Sequence, residues 1–184
     1  MHIERERSQL LVIDVQSKLA PHVSGQAQVV ANATRLLRYA RRLDVPATIT
    51  EHYPNGLGPT VAGVREAAGN DVPVLEKIAF SSWKDAGIRA RIEGLKAEGR
   101  DQVVVAGMEA HVCVAQTALD LVAAGLDVYL VADSVGSRQA AARDIAVERL
   151  RQAGATIVAQ EMVAFEWLQR GDDPAFKDVV AIVK

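Results

Sequence analysis

Apolar residues along this chain come in short unbroken runs and in helix-spaced stripes. Leu10-Leu11-Val12-Ile13 is a continuous apolar run that stops at Asp14, as expected of a short strand buried on both faces. From Val29 to Leu43 the period changes. Val30, Ala33, Leu36, Leu37 and Ala40 recur at three- and four-residue steps, which predicts a helix with one apolar face. Val45 to Thr50 reads as a second strand, with Pro46 tolerated near its start. The glycines and prolines of 53–59 predict a loop, and Val61 to Ala68 a short helix. Val72 to Leu75 is a brief third strand, Phe80 to Asp85 is irregular, and Ala86 to Glu98 is helical. Gln102 to Gly107 is a fourth strand. The helix after it carries Val114, Ala118, Leu121 and Val122 on one face, with Gly125 placed to end it. Leu126 to Ala132 is a fifth strand, Gln139 to Gln152 a helix and Ala155 to Val158 a sixth strand, with short helices to Lys184.

Strands alternating with helices imply right-handed βαβ units. The expected fold is α/β, a three-layer αβα sandwich around a six-stranded, mostly parallel sheet, formed by residues 1–184 as a single domain. The expected strand order is 3-2-1-4-5-6, Rossmann-like, although the sequence itself does not reveal strand order. Strands one and four are then neighbours at the point where the order reverses, and ligands bind beyond the carboxyl ends there.

The composition narrows the function. A net charge of −2 lacks the basic excess of a nucleic-acid binder, so no nucleic-acid partner is expected. The densest positive cluster, Arg35, Arg38, Arg41 and Arg42, falls on a predicted helix and reads as a solvated face. A single cysteine excludes an intramolecular disulfide, the N-terminus lacks an apolar leader, and no run approaches membrane-span length. A cytoplasmic protein with no membrane partner is the expectation.

That one cysteine, Cys113, follows strand four at the start of a helix, where the macrodipole and free N–H groups favour thiolate. Its alternative is a small buried hydrophobe. Asp14 closes strand one, either as a turn former or as a general base for the thiol. Lys77 follows strand three, and an ammonium there would favour thiolate and steady the carboxylate. Lys84, seven positions on, competes for the role. His111 lies two residues before Cys113, too close in a loop for a ready thiol–imidazole pair. The four histidines show no zinc spacing, and the glycines form no phosphate loop, so no metal or cofactor is expected. Backbone N–H groups of 107–113 could form an oxyanion hole.

Three segments resemble the isochorismatase-like cysteine hydrolases: Leu10-Leu-Val-Ile-Asp14-Val-Gln16, Val74-Leu-Glu-Lys77-Ile-Ala-Phe80-Ser, and Val103 to Leu121 running on to Val128 to Arg138. Thr50 to Pro59 and Asp173 to Asp178 resemble the branch of isochorismatase domain-containing proteins. The resemblance implies an Asp–Lys–Cys triad on Asp14, Lys77 and Cys113. It also implies a cis peptide at Met108–Glu109 and an oxyanion hole from the N–H groups of Glu109 and Cys113. The implied reaction is hydrolysis of a small amide-type substrate through a thioester, and the retained thiol favours a C–N bond over the vinyl ether of isochorismate. Nicotinamidases of this family hold a metal through an Asp-x-His run. Here that stretch is His52-Tyr53-Pro54 with no further histidine nearby, so a metal-dependent nicotinamidase is not expected. Leu19, His52, Tyr53, Phe80 and Trp83 are candidates for the pocket wall. Family analogy implies a homo-oligomer, dimer or tetramer, in which a neighbouring chain closes the pocket. The competing readings are a non-catalytic interaction module on the same scaffold and a redox sensor using Cys113. A thiol pKa below neutral together with acylation would favour the hydrolase.

Overall fold

A computed structural model describes residues 2–184. Its strands are β1 (Ser8–Ile13), β2 (Ala47–His52), β3 (Val74–Lys77), β4 (Gln102–Met108), β5 (Asp127–Gly136) and β6 (Thr156–Val158). They form one sheet in the order β3-β2-β1-β4-β5-β6, with every neighbouring pair parallel. The longer helices are α1 (Gln26–Arg42), α2 (Pro54–Leu57), α3 (Ala62–Ala68), α4 (Ala86–Ala97), α5 (Ala115–Ala123), α6 (Ala140–Gln152), α7 (Gln160–Leu168) and α8 (Phe176–Val183).

The apolar runs are explained by helices on both faces of the sheet. In β1, Leu10 and Val12 join one core with Leu36 and Leu37 of α1, Val64 of α3 and Trp167 of α7. Leu11 and Ile13 join the opposite core with Ile88 and Ile92 of α4, Leu121 of α5 and Leu150 of α6. Alternate residues serve opposite faces, so a strand covered on both sides must be apolar throughout. The indole of Trp167, almost fully buried, donates to Ser8 Oγ at 2.9 Å and so ties α7 to the start of β1.

Several strand boundaries differ from the pattern. The second and third strands begin two residues later than predicted, at Ala47 and Val74, because each follows a proline. Proline has no N–H, but its carbonyl still accepts: Leu10 N–H bonds Pro46 O at 2.9 Å and Ile49 N–H bonds Pro73 O at 3.0 Å. The third strand also runs past Leu75 to Lys77, which stands opposite His52. β5 continues past Ala132 to Gly136, because its pairing with β4 shifts register between Val105 and Gly107. The stretch 53–59 contains the single helical turn α2.

The carboxyl ends of β1 and β4 meet at Ile13 and Gly107. Gly107 has φ +128°, and a Cβ there would lie 2.0 Å from the Ile13 carbonyl oxygen. Neither the conformation nor the space admits a side chain. Gly107→Ala is expected to lower unfolding free energy by about 3 kcal/mol or more, read from the urea midpoint; wild-type stability in that variant would contradict this packing.

Candidate functional site

β1, β2, β3 and β4 end on one rim, and each end delivers a polar group to it. Asp14 is the first residue past β1 and adopts a left-handed conformation, φ 52°, tolerated by aspartate but disfavoured for most side chains. Its N–H is held by Thr50 O of β2 at 3.0 Å. The fully buried carboxylate accepts from Thr50 Oγ1 at 2.7 Å through one oxygen and from Lys77 Nζ at 2.6 Å through the other. Lys77, also buried, donates in addition to Phe80 O at 3.0 Å. This is an ion pair with both side chains out of solvent.

Cys113 lies near the same pair, and the charges of both Asp14 and Lys77 act on its thiol. The thiol stands in a widened turn over Ala110–Val114, in which Val114 N–H reaches back five residues to Glu109 O at 3.2 Å; regular α-helix begins only at Ala115. Of the three candidates, Asp14 and Lys77 are in direct contact, with Cys113 in the neighbourhood of their charges. Lys84 does not join them; it is exposed and its Nζ lies 3.6 Å from Asp120. His111 is exposed and its Nδ1 is engaged with Ser137 Oγ at 2.9 Å.

The state of the thiol is a correction. The helix start and the nearby ammonium are expected to favour thiolate, with a small buried hydrophobe as the alternative, but the Cys113 pKa is pushed up to about 12, the direction opposite to the one that would favour the hydrolase. Burial is the largest cause and the Asp14 carboxylate the next, and together they outweigh Lys77. Lys77 is already committed to Asp14, and the widened turn places the thiol among apolar side chains of the core.

The peptide Met108–Glu109 is cis, as expected. The Glu109 N–H donates to no protein acceptor among the described residues. Its carboxylate is bound by Arg138, which holds it below the ordinary range against the opposing effect of burial. His52, opposite Lys77, packs its ring 5.3 Å from that of Phe80. Burial and the Lys77 charge lower the His52 pKa, and Nδ1 is buried without a hydrogen-bond partner among the described residues. Phe80 and Tyr53 are exposed at the edge, Trp83 packs against the core that contains Cys113, and Leu19 packs against the α1 side. Among the described residues no three His, Cys, Asp or Glu side chains are grouped to hold a metal ion.

Sequence reasoning missed Thr50, the Phe80 carbonyl and Arg138. Thr50 had a signal, since it ends a strand expected beside β1. The other two depend on loop paths that no local pattern encodes.

Residues 8–162 match the isochorismatase domain model, and the chain belongs to that family. Isochorismatase domain-containing protein 2A of Mus musculus is 36% identical over 97% of this chain and 84% of its own length. Isochorismatase family protein 1B of Dictyostelium discoideum is 34% identical over 97% of the chain and 87% of its own. Among solved structures, the MAR1 ribonuclease of Caenorhabditis elegans superposes with a TM-score of 0.93 at 33% identity, covering 100% of this chain and 92% of that one.

Lys77→Met removes one member of the buried pair and leaves an uncompensated carboxylate. Unfolding free energy is expected to fall by about 3–5 kcal/mol, checked by chemical denaturation; a neutral effect would mean water reaches Asp14. The buried neutral thiol sets a second expectation. Alkylation of native Cys113 by iodoacetamide should climb by roughly tenfold per pH unit well past the ordinary thiol value of about 8.5. A plateau near neutrality, followed by mass spectrometry, would show that Lys77 controls the thiol after all.

Proposed function

We propose that this protein is a cysteine-dependent hydrolase of a small amide-type substrate, acting through a thioester. The observation that carries the reading is the meeting of Cys113 with the buried Asp14–Lys77 pair at the rim of the sheet. A thiol held neutral needs a base placed against it, and Asp14 stands in that position. Lys77 orients Asp14 through its bond to the carboxylate.

In the proposed reaction Asp14 removes the thiol proton as sulfur attacks the substrate carbonyl carbon. The oxyanion that forms is met by the backbone N–H groups of Glu109 and Cys113, each such donor being worth about 3–4 kcal/mol. Asp14 returns the proton to the departing nitrogen, the C–N bond breaks and an amine leaves. Water, deprotonated by Asp14, then attacks the thioester carbonyl. The carboxylic acid leaves and the thiol is restored by the proton from Asp14. The His52–Phe80 pair forms one wall of the substrate pocket in this reading, with His52 Nδ1 available to a polar group of the substrate. Tyr53, Ile78 and Phe80 expose large apolar surface beside that wall, which supports a homo-oligomer with a neighbouring chain against the rim.

A panel of small amides and carbamates should include at least one substrate whose turnover falls by roughly 10³-fold or more in Cys113→Ala with the fold retained. A trapped acyl adduct on Cys113 is expected by mass spectrometry. Full activity in Cys113→Ala would overturn the nucleophile assignment. RNA oligonucleotides belong in the same panel, because the C. elegans structure is described as a ribonuclease; RNA cleavage abolished by Cys113→Ala, with no amide turned over, would replace the amide reading.

A further inference from the structure

The proposed oxyanion donor at Glu109 sits in a loop that is fastened at two points to the segment just beyond β5. β5 ends at Gly136, which pairs with Met108 at the end of β4. The next two residues reach across to the nucleophile loop. Ser137 Oγ bonds His111 Nδ1 at 2.9 Å, while the Ser137 carbonyl accepts from Ser24 N–H at 3.0 Å, which fixes the segment from its other side. Arg138 gives the Glu109 carboxylate three hydrogen bonds: its backbone N–H and Nε to Oε1, both at 3.0 Å, and Nη2 to Oε2 at 2.8 Å.

We infer that Arg138 is a positioning residue for the oxyanion hole: by gripping the Glu109 side chain it fixes the direction of the Glu109 N–H. This rests on the hydrolase reading above and adds a residue to it. The Glu109 carbonyl is also held, accepting from Val112 N–H at 3.0 Å and Val114 N–H at 3.2 Å. With carboxylate and carbonyl both tied, the N–H has little freedom left to turn. The grip needs a fork. The guanidinium side chain is 65% exposed, so its charge alone would add little, but a bidentate contact to a carboxylate only 6% exposed defines an orientation. Lysine would supply the charge without the fork.

The test separates two reactions of the same sulfur. Iodoacetamide alkylates the thiol by displacement at a saturated carbon and develops no oxyanion, whereas p-nitrophenyl acetate acylates it through a tetrahedral oxyanion and releases p-nitrophenolate. Both rates are measured on wild type, Arg138→Gln and Arg138→Lys at one mildly alkaline pH, with thermal unfolding as the check on folding. The expected result for Arg138→Gln is a loss of roughly tenfold or more in the acylation rate with alkylation unchanged, and for Arg138→Lys an intermediate acylation rate. Equal acylation in wild type and Arg138→Gln, or a parallel fall in acylation and alkylation, overturns the role of Arg138 while leaving the hydrolase reading intact. Alkylation of wild type without any acetyl adduct on Cys113 overturns both.

Discussion

Two full charges lie side by side at the sheet's rim with no access to solvent, and the local architecture is built around keeping them there. A lone carboxylate or ammonium at that depth would be penalised by several kcal/mol, so Asp14 and Lys77 persist only together and only with their remaining hydrogen-bonding capacity filled. Thr50 and the Phe80 carbonyl supply one further bond to each. Each of these four groups comes from a different segment, so the pair holds the ends of β1, β2 and β3 and the following loop in one register. The arrangement stabilises less than a well-packed apolar cluster of the same size would.

Much of the frame was legible because it is set by periodicity. Leu10 to Ile13 and Gln102 to Gly107 had to be doubly covered strands, and α1 announced its buried face through Ala33, Leu36 and Leu37. The choice of Lys77 over Lys84 was legible only in part. It turned on β3 running to residue 77, where Lys77 pairs with His52 at the end of β2. The state of the thiol was not legible. Proximity to a helix start and to a lysine are sequence-level features, whereas desolvation depends on the tertiary packing that buries the sulfur in the core on this side of the sheet. Arg138 stayed hidden for a related reason. Its position depends on β5 continuing past a register shift, a detail of twist and pairing that hydrophobic spacing does not carry.

The neutral thiol and the buried pair are two sides of one electrostatic arrangement. Lys77 offers its charge to Asp14 at 2.6 Å, so what remains for the sulfur is attraction to the ammonium largely offset by repulsion from the carboxylate. Ionising the thiol at rest would place a second anion beside Asp14 in an apolar setting. Moving the proton from sulfur to Asp14 leaves the number of negative charges unchanged and merely shifts one from oxygen to sulfur, still within reach of Lys77. In the proposed reaction, transfer inside the site is therefore favoured over loss of the proton to solvent.

The same logic extends to the loop after β3. Ser81 Oγ donates to Asp120 on α5 at 2.7 Å, Lys84 approaches that carboxylate, and the Ser82 N–H bonds Thr117 Oγ1 at 2.9 Å. These contacts fasten the segment that supplies the Phe80 carbonyl and ring to the helix that follows the cysteine. Displacing Phe80 would remove an acceptor from Lys77 and open the wall beside His52 at once. Lys84, the lysine that stands outside the ion pair, thus contributes from one step away, by helping to hold the chain that holds Lys77.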